Sequence, residues 1–276
     1  MGADIRARAG ADRQSPTAPR ARRVLVAHER RERLAALAFD LASAGFAVST
    51  ATTGGEAAVA LRQYPPDVLL VSAELPDIPG VELVRRSRAL AESRDIAMLV
   101  ILGPGVTAGD DARVRAFEVG ADDCLPDNVN ARELVLRVGS LTRRYASWRL
   151  PDDEVLRVGP VVLDRATRDT FVAGRFISLT PTEFALLSVL LAHPDRTLTR
   201  SQLYARVWRT DPQLAVRAIE THVYRLRRKL GDAGRLLESV PRRGYRFRRP
   251  DPDVPSAPDV DAAPVQKLTR APSCIW

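Results

Sequence analysis

The chain has 276 residues, 45% of them hydrophobic and 28% charged, with 42 Lys and Arg against 34 Asp and Glu and a formal net charge of +8. This length suits two domains of ordinary size, each able to bury its own core. No run approaches the ~20 apolar residues of a membrane span, and the Arg-dotted N-terminus lacks the apolar stretch of a secretory signal. Cys124 and Cys274 make no metal-binding or redox spacing. The expectation is a cytoplasmic protein with no membrane partner, no metal and no cofactor.

Residues 1–21 mix Ala, Arg, Pro, Ser and Gly without periodicity and read as a disordered basic tail. From 22 to 144, apolar runs alternate with amphipathic stretches. The strand candidates are Arg23 to Ala27, Phe46 to Ser49, Val68 to Val71, Met98 to Leu102 and Asp122 to Leu125, with helices expected over 30–44, 55–63, 80–91, 109–118 and 130–142. Five strands alternating with five helices predict an α/β doubly wound, flavodoxin-like parallel sheet with any site at the carboxyl ends of its strands. The residues falling there are His28, Glu29, Ser72, Gly103 and Asp127.

After a linker at 145–153, residues 154–249 predict an α+β winged helix-turn-helix domain. Two helices, Pro181 to Ala192 and Ser201 to Val207, follow the capping residues Thr180 and Thr199. A third spans Ala215 to Leu230. Its apolar face carries Ile219, Val223, Leu226 and Leu230, while Arg217, Tyr224, Arg225 and Arg228 lie opposite. Guanidinium groups on such a face suit guanine edges or phosphates in a DNA major groove. A charge run alone is more often a solvated surface, so the surroundings must decide. Here the strand-like runs Leu237 to Val240 and Tyr245 to Phe247 form a hairpin with Pro241, Arg242, Arg243 and Gly244 at its turn. Residues 151–250 hold 19 basic against 11 acidic residues, so the whole net charge of +8 sits where DNA would be read. Residues 250–276, rich in Pro, Asp and Ala, read as a second disordered tail.

The segments ISLTPTEFALLSVLL, YRLRRKLG and RRGYRF are similar to the effector domain of OmpR/PhoB-type response regulators, and DVLLVSAELPDIPG with FEVGADDCLPDNVNARELVLRV resembles the receiver domain of the same family. The resemblance implies a transcriptional regulator, not an enzyme. It places Arg217, His222, Arg225 and Arg227 toward DNA from the third helix, with Arg242 and Arg243 reaching phosphates or the minor groove. The loop Arg209 to Val216 corresponds to one that touches RNA polymerase in relatives. Two departures stand out: Pro241 where many relatives carry Arg, and Tyr224 in an often basic slot.

The resemblance also exposes an atypical receiver. Its acidic pair reads His28-Glu29, its phosphoacceptor place Ser72, its Thr/Ser place Gly103, its Lys place Asp127 and its aromatic-switch place Cys124. Phosphoryl transfer from a His-phosphate needs a carboxylate nucleophile, oxygen ligands for a divalent cation and a cation for the developing charge. This set supplies none of the three in the usual form, and Asp127 is expected to repel an anion. A hydrolytic His28–Ser72 pair has no third orienting residue, so a hydrogen-bonded remnant of the pocket is the expectation. The family's dimer face implies three charge pairs between copies: Arg113 with Glu133, Asp123 with Arg137, and Asp122 with Arg144. The expected protein is thus a phosphorylation-independent homodimer on tandem DNA sites. The alternatives are a protein-interaction adaptor, or a regulator sensing a small-molecule ligand in the altered pocket.

Overall fold

The computed structural model describes residues 21–90, 93, 95–103, 111–146, 155–208 and 216–250, with side chains outside description at 143–146 and 216–218. Almost all of both expected tails, most of the 145–153 linker and residues 209–215 lie outside the described set.

The first lobe is a five-stranded parallel sheet of β1 (Arg23–Ala27), β2 (Ala47–Ala51), β3 (Val68–Ser72), β4 (Ala97–Leu102) and β5 (Asp123–Pro126), in the order β2-β1-β3-β4-β5. The register sets Val24 beside Val68, Val68 beside Ala97 and Leu99 beside Asp123. Strands β3 and β4 are buried at every position, which is why they read as unbroken apolar runs, whereas β2 lies at the edge and is mostly exposed. Alternate residues of each strand feed opposite layers. Val24, Val26, Leu70 and Leu99 pack with Leu37 of α1 (Arg31–Ser43) and Leu134 and Val138 of α5 (Ala131–Ala146). Leu25, Leu69, Met98 and Val100 face α2 (Gly54–Gln63), α3 (Gly80–Ala89) and α4 (Asp111–Val119). Strand order reverses between β1 and β3, so their carboxyl ends border the crevice where such sheets place their sites.

The second lobe opens with an antiparallel sheet of β6 (Val155–Val158), β7 (Val161–Asp164), β8 (Thr170–Val172) and β9 (Arg175–Phe176). Three helices follow: α6 (Pro181–Leu191), α7 (Arg200–Val207) and α8 (Val216–Leu230). Both expected caps form as capping boxes, Thr180 with Glu183 and Thr199 with Gln202. Each such cap stabilises its helix by about 1 kcal/mol. Helix α6 is not amphipathic in place: it is buried on nearly every side, because sheet, α7 and α8 all pack around it. A second sheet, β10-β12-β11, is made of β10 (Leu198–Thr199), β11 (Leu237–Val240) and β12 (Gly244–Phe247). Strand β10 has no counterpart in the sequence expectation, being two residues long. Gly244 is required where it stands, with φ +150° and a would-be Cβ only 2.0 Å from the Leu198 carbonyl oxygen.

The apolar core on the α2–α4 side of the first sheet continues without a break into the second lobe, from Phe117 of α4 to Val223 and Leu226 of α8 and Phe184 of α6. The two lobes therefore share one hydrophobic cluster.

Candidate nucleic-acid interface

Helix α8 buries Ile219, Val223, Leu226 and Leu230, the apolar face expected from their spacing. Tyr224 is 55% exposed and Arg228 is exposed beside it, its guanidinium carbon 5.9 Å from the Tyr224 ring centre. Arg227 is half-buried: Nε donates to the Leu237 carbonyl at 2.8 Å and Nη2 to Ser239 Oγ at 2.9 Å, which binds α8 to the wing strand β11. Arg242 and Arg243 stand exposed at the wing tip, with Arg242 in the left-handed region at φ 58° and the Arg243 N–H closing the turn onto the Val240 carbonyl at 3.0 Å. The Arg217 side chain lies outside the described residues.

Two residues expected to face DNA point elsewhere. His222 is fully buried, its ring 5.2 Å from Phe117 of the first lobe and 5.7 Å from Trp208. Arg225 donates from Nη1 to the Phe117 carbonyl at 2.7 Å, and its Nη2 lies 3.3 Å from Glu183 Oε1. The helical repeat explains the correction: 222, 225 and 229 form one stripe, about a third of a turn from the exposed 224 and 228. That stripe meets α4 and α6, and sequence spacing could not reveal that a second domain would be there.

Glu183 is a functional support that no spacing in the sequence singled out. Its carboxylate is buried, accepts from the Thr180 N–H at 2.8 Å and from Lys229 Nζ at 2.6 Å, and faces Arg225. Burial pushes this carboxyl up, but the Arg225 and Lys229 charges and the Lys229 and Thr180 hydrogen bonds bring it below the ordinary range. One buried anion thus fixes α8 against the start of α6.

His28, Ser72, Gly103 and Asp127 lie at or just beyond the carboxyl ends of β1, β3, β4 and β5. His28 Nε2 lies 3.2 Å from Asp127 Oδ1, and its Nδ1 accepts from the Arg30 N–H at 3.1 Å. That pair of contacts fits the neutral Nε2–H tautomer and leaves neither nitrogen for Ser72. The Ser72 hydroxyl oxygen instead accepts from the Glu74 N–H at 3.2 Å. Gly103 makes room for the Glu74 carboxylate, since a Cβ there would lie 2.2 Å from Oε1. Asp127 is not the isolated negative charge the sequence suggested. Arg30 Nη2 donates to its Oδ2, Arg33 Nη2 donates to its backbone carbonyl, and Arg33 Nε lies 3.4 Å from Oδ1. Burial raises its carboxyl, yet the hydrogen bonds from His28 and Arg30 and the Arg30 charge hold it below the ordinary value. Glu29 turns toward His28 Nδ1, at 3.4 Å, and Arg30. Among the described residues no group of three His, Cys, Asp or Glu side chains is placed to hold a metal ion. Cys124 is buried in the sheet, and burial pushes its thiol far above the ordinary range.

The α4, β5 and α5 charges expected to pair between copies are largely satisfied within the chain. Arg137 Nη1 binds Asp123 Oδ2 at 2.6 Å, and its Nη2 binds Glu133 at 3.0 Å. Asp122 is fully buried, paired with Arg88 at 2.5 Å, and its Oδ1 accepts from the Thr182 N–H of α6 at 3.0 Å. A first-lobe carboxylate therefore satisfies a free donor in the first turn of a second-lobe helix. Arg113 reaches the Cys124 carbonyl at 3.4 Å, and the Arg144 side chain is outside the described residues. Asp122 as an intermolecular partner of Arg144 is thus corrected by its burial. Val114 and Leu136 remain 44% and 46% exposed on α4 and α5.

Residues 24–139 match the family model of the response regulator receiver domain, and 174–247 match that of the transcriptional regulatory protein C-terminal domain. The chain is 35% identical over 234 residues to the response regulator MprA of Mycobacterium sp. (strain KMS), covering 83% of this chain and 99% of that protein. It is 36% identical over 194 residues to the phosphate regulon transcriptional regulatory protein PhoB of Rhizobium meliloti (strain 1021), covering 70% and 83% respectively. Among solved structures, a mutant of RitR shares the fold with a TM-score of 0.64, at 19% identity over 83% of this chain and all of that one.

Proposed function

This chain belongs to the OmpR/PhoB-type response regulators and is a transcription regulator with a DNA-binding effector domain, and from that premise we propose that it binds promoter DNA without aspartyl phosphorylation. The observation that carries the reading is the His28, Arg30, Arg33 and Asp127 cluster. A carboxylate stands where the family's lysine would meet a phosphoryl group, and two guanidinium groups are already committed to it. The divalent cation the family uses does not fit: Ser72 offers no carboxylate, and Glu29 is the sole acid of the usual pair.

On the DNA side, Tyr224 with Arg217 would enter the major groove, Arg228 would face the DNA backbone at its edge, Arg227 would brace the wing, and Arg242 and Arg243 would reach phosphates. Homodimerisation on tandem half-sites belongs to the same proposal. The exposed Val114 and Leu136, flanked by Arg113 and Glu133, supply an apolar patch for a second copy. The test is promoter binding before and after incubation with acetyl phosphate and Mg²⁺. Affinity should be unchanged and no phosphoryl mass added; a stable adduct with tighter binding would overturn phosphorylation independence.

A further inference from the structure

Between the C-terminal half of α8 and strand β11 runs a groove of about 710 Å³ whose charge is lopsided: Arg227, Arg228 and Arg235 line it against a single carboxylate, Glu238. That carboxylate is already neutralised. Arg246 Nη2 binds Glu238 Oε2 at 2.5 Å, and Arg248 Nη1 stands 3.8 Å from Oε1. Among the described residues no carboxylate lies within ion-pair distance of Arg228 or Arg235. The donors are held ready. Arg227 is fixed by Leu237 and Ser239, and Arg228 lies near the Tyr224 ring. Ser239 Oγ accepts from Arg227, so its hydroxyl proton is directed away from that guanidinium. Arg235 and Ser239 are exposed.

We propose that this groove is a backbone-phosphate clamp for DNA, in which Arg228, Arg235 and Ser239 grip a phosphate flanking the segment read by α8. The inference rests on the DNA-reading assignment above and extends it to Arg235 and Ser239, which no motif singled out. A phosphate fits better than a base edge because the donors converge from three separate elements, α8, the 231–236 turn and β11, rather than along one reading helix. Such a contact fixes register and carries no sequence information.

The experiment compares the full chain with Arg235→Ala, Ser239→Ala and a control, Arg175→Ala, exposed on β9. Affinity for a bound promoter fragment and for base-substituted versions of it is measured across a salt series. Arg235→Ala should weaken every sequence by the same factor and make the slope of log affinity against log salt less negative by about 0.9, the signature of one lost phosphate contact. Ser239→Ala should weaken binding uniformly with the slope kept. If Arg235→Ala behaves like the control while the wild type binds its promoter, the clamp is wrong and the DNA-reading assignment stands. If Arg235→Ala changes the ranking of sequences, the residue reads bases and the clamp is wrong. If it spares DNA binding but lowers transcription, the groove takes an acidic protein segment instead. Failure of the wild type to bind any promoter fragment would remove the DNA-reading assignment itself.

Discussion

A carboxylate at residue 127 needs a cation, and Arg30 and Arg33 supply two from the start of one helix. Replacing Asp127 by Ala should leave Arg30 and His28 without their acceptor, while Arg33 keeps its bonds to the 127 and 129 carbonyls, and cost about 1.5–3 kcal/mol, the range for hydrogen bonds to charged groups, measured by denaturant unfolding. The pH dependence has a definite sign. Asp127 is held below its unfolded value of about 3.9, so its contribution is complete above that pH and is lost as pH falls through it toward the folded value. Wild type should therefore lose more stability than Asp127→Asn when pH drops below about 4; parallel losses would contradict the pairing. The reading residues separate in the same way. Arg228→Ala should cost about 1–3 kcal/mol of DNA affinity with unfolding unchanged. His222→Ala should instead lower stability, since its ring is packed between Phe117 and Trp208. Titration of one promoter beside thermal melts checks both. The place of Asp127 was legible in the sequence, but its partners were not, because α1 and the β5–α5 loop are about a hundred residues apart and meet only when the sheet closes.

Helix α8 shows what periodicity can and cannot deliver. Its buried stripe followed directly from four apolar residues at helical spacing, and the N-caps of α6 and α7 followed from Thr180 and Thr199. The 222, 225 and 229 stripe looked identical to a solvent-facing basic edge. Only packing against α4 and α6 distinguishes it, and polar residues there carry no sequence mark of burial. Glu183 is the element-scale test. Glu183→Gln removes the buried charge that faces Arg225 and Lys229 while keeping an acceptor for Thr180. Removing one partner of a buried pair typically costs about 3–5 kcal/mol. DNA affinity should fall together with stability, and hydrogen exchange should rise along α8. Unchanged exchange there would show that α8 is positioned by its apolar face alone. The loop carboxylate Asp77, within the segment DVLLVSAELPDIPG, serves the fold: it accepts from the Gly54 and Gly55 N–H groups at the start of α2.

Across the whole molecule, one continuous apolar cluster joins the lobes, reinforced by the Asp122 bond to Thr182, the Arg225 bond to the Phe117 carbonyl and the Ser140 hydroxyl on the Trp208 carbonyl. The order of lobes and the five strands and five helices of the first lobe were readable from alternating periodicities, whereas β6 to β10, short and without a run of their own, were not. Their docking was not, since residues such as Phe117 and Ser140 satisfy one another's neighbours only across the interface. This docking leaves the outer edge of α4 and α5 uncovered, where a second copy would pack. Leu136→Glu, an exposed change on α5, should convert a dimer to monomer in analytical ultracentrifugation and remove the concentration dependence of the thermal midpoint; a persisting dimer would place the contact elsewhere. A DNA reader that works without aspartyl phosphate should occupy its promoters whatever the charge at residue 72. Genome-wide occupancy of the wild type, Ser72→Asp and the Tyr224→Ala/Arg228→Ala double variant tests it most directly. One shared set of tandem sites is expected for wild type and Ser72→Asp, lost in the double variant. Sites that form only with Ser72→Asp, or that survive in the double variant, would contradict it.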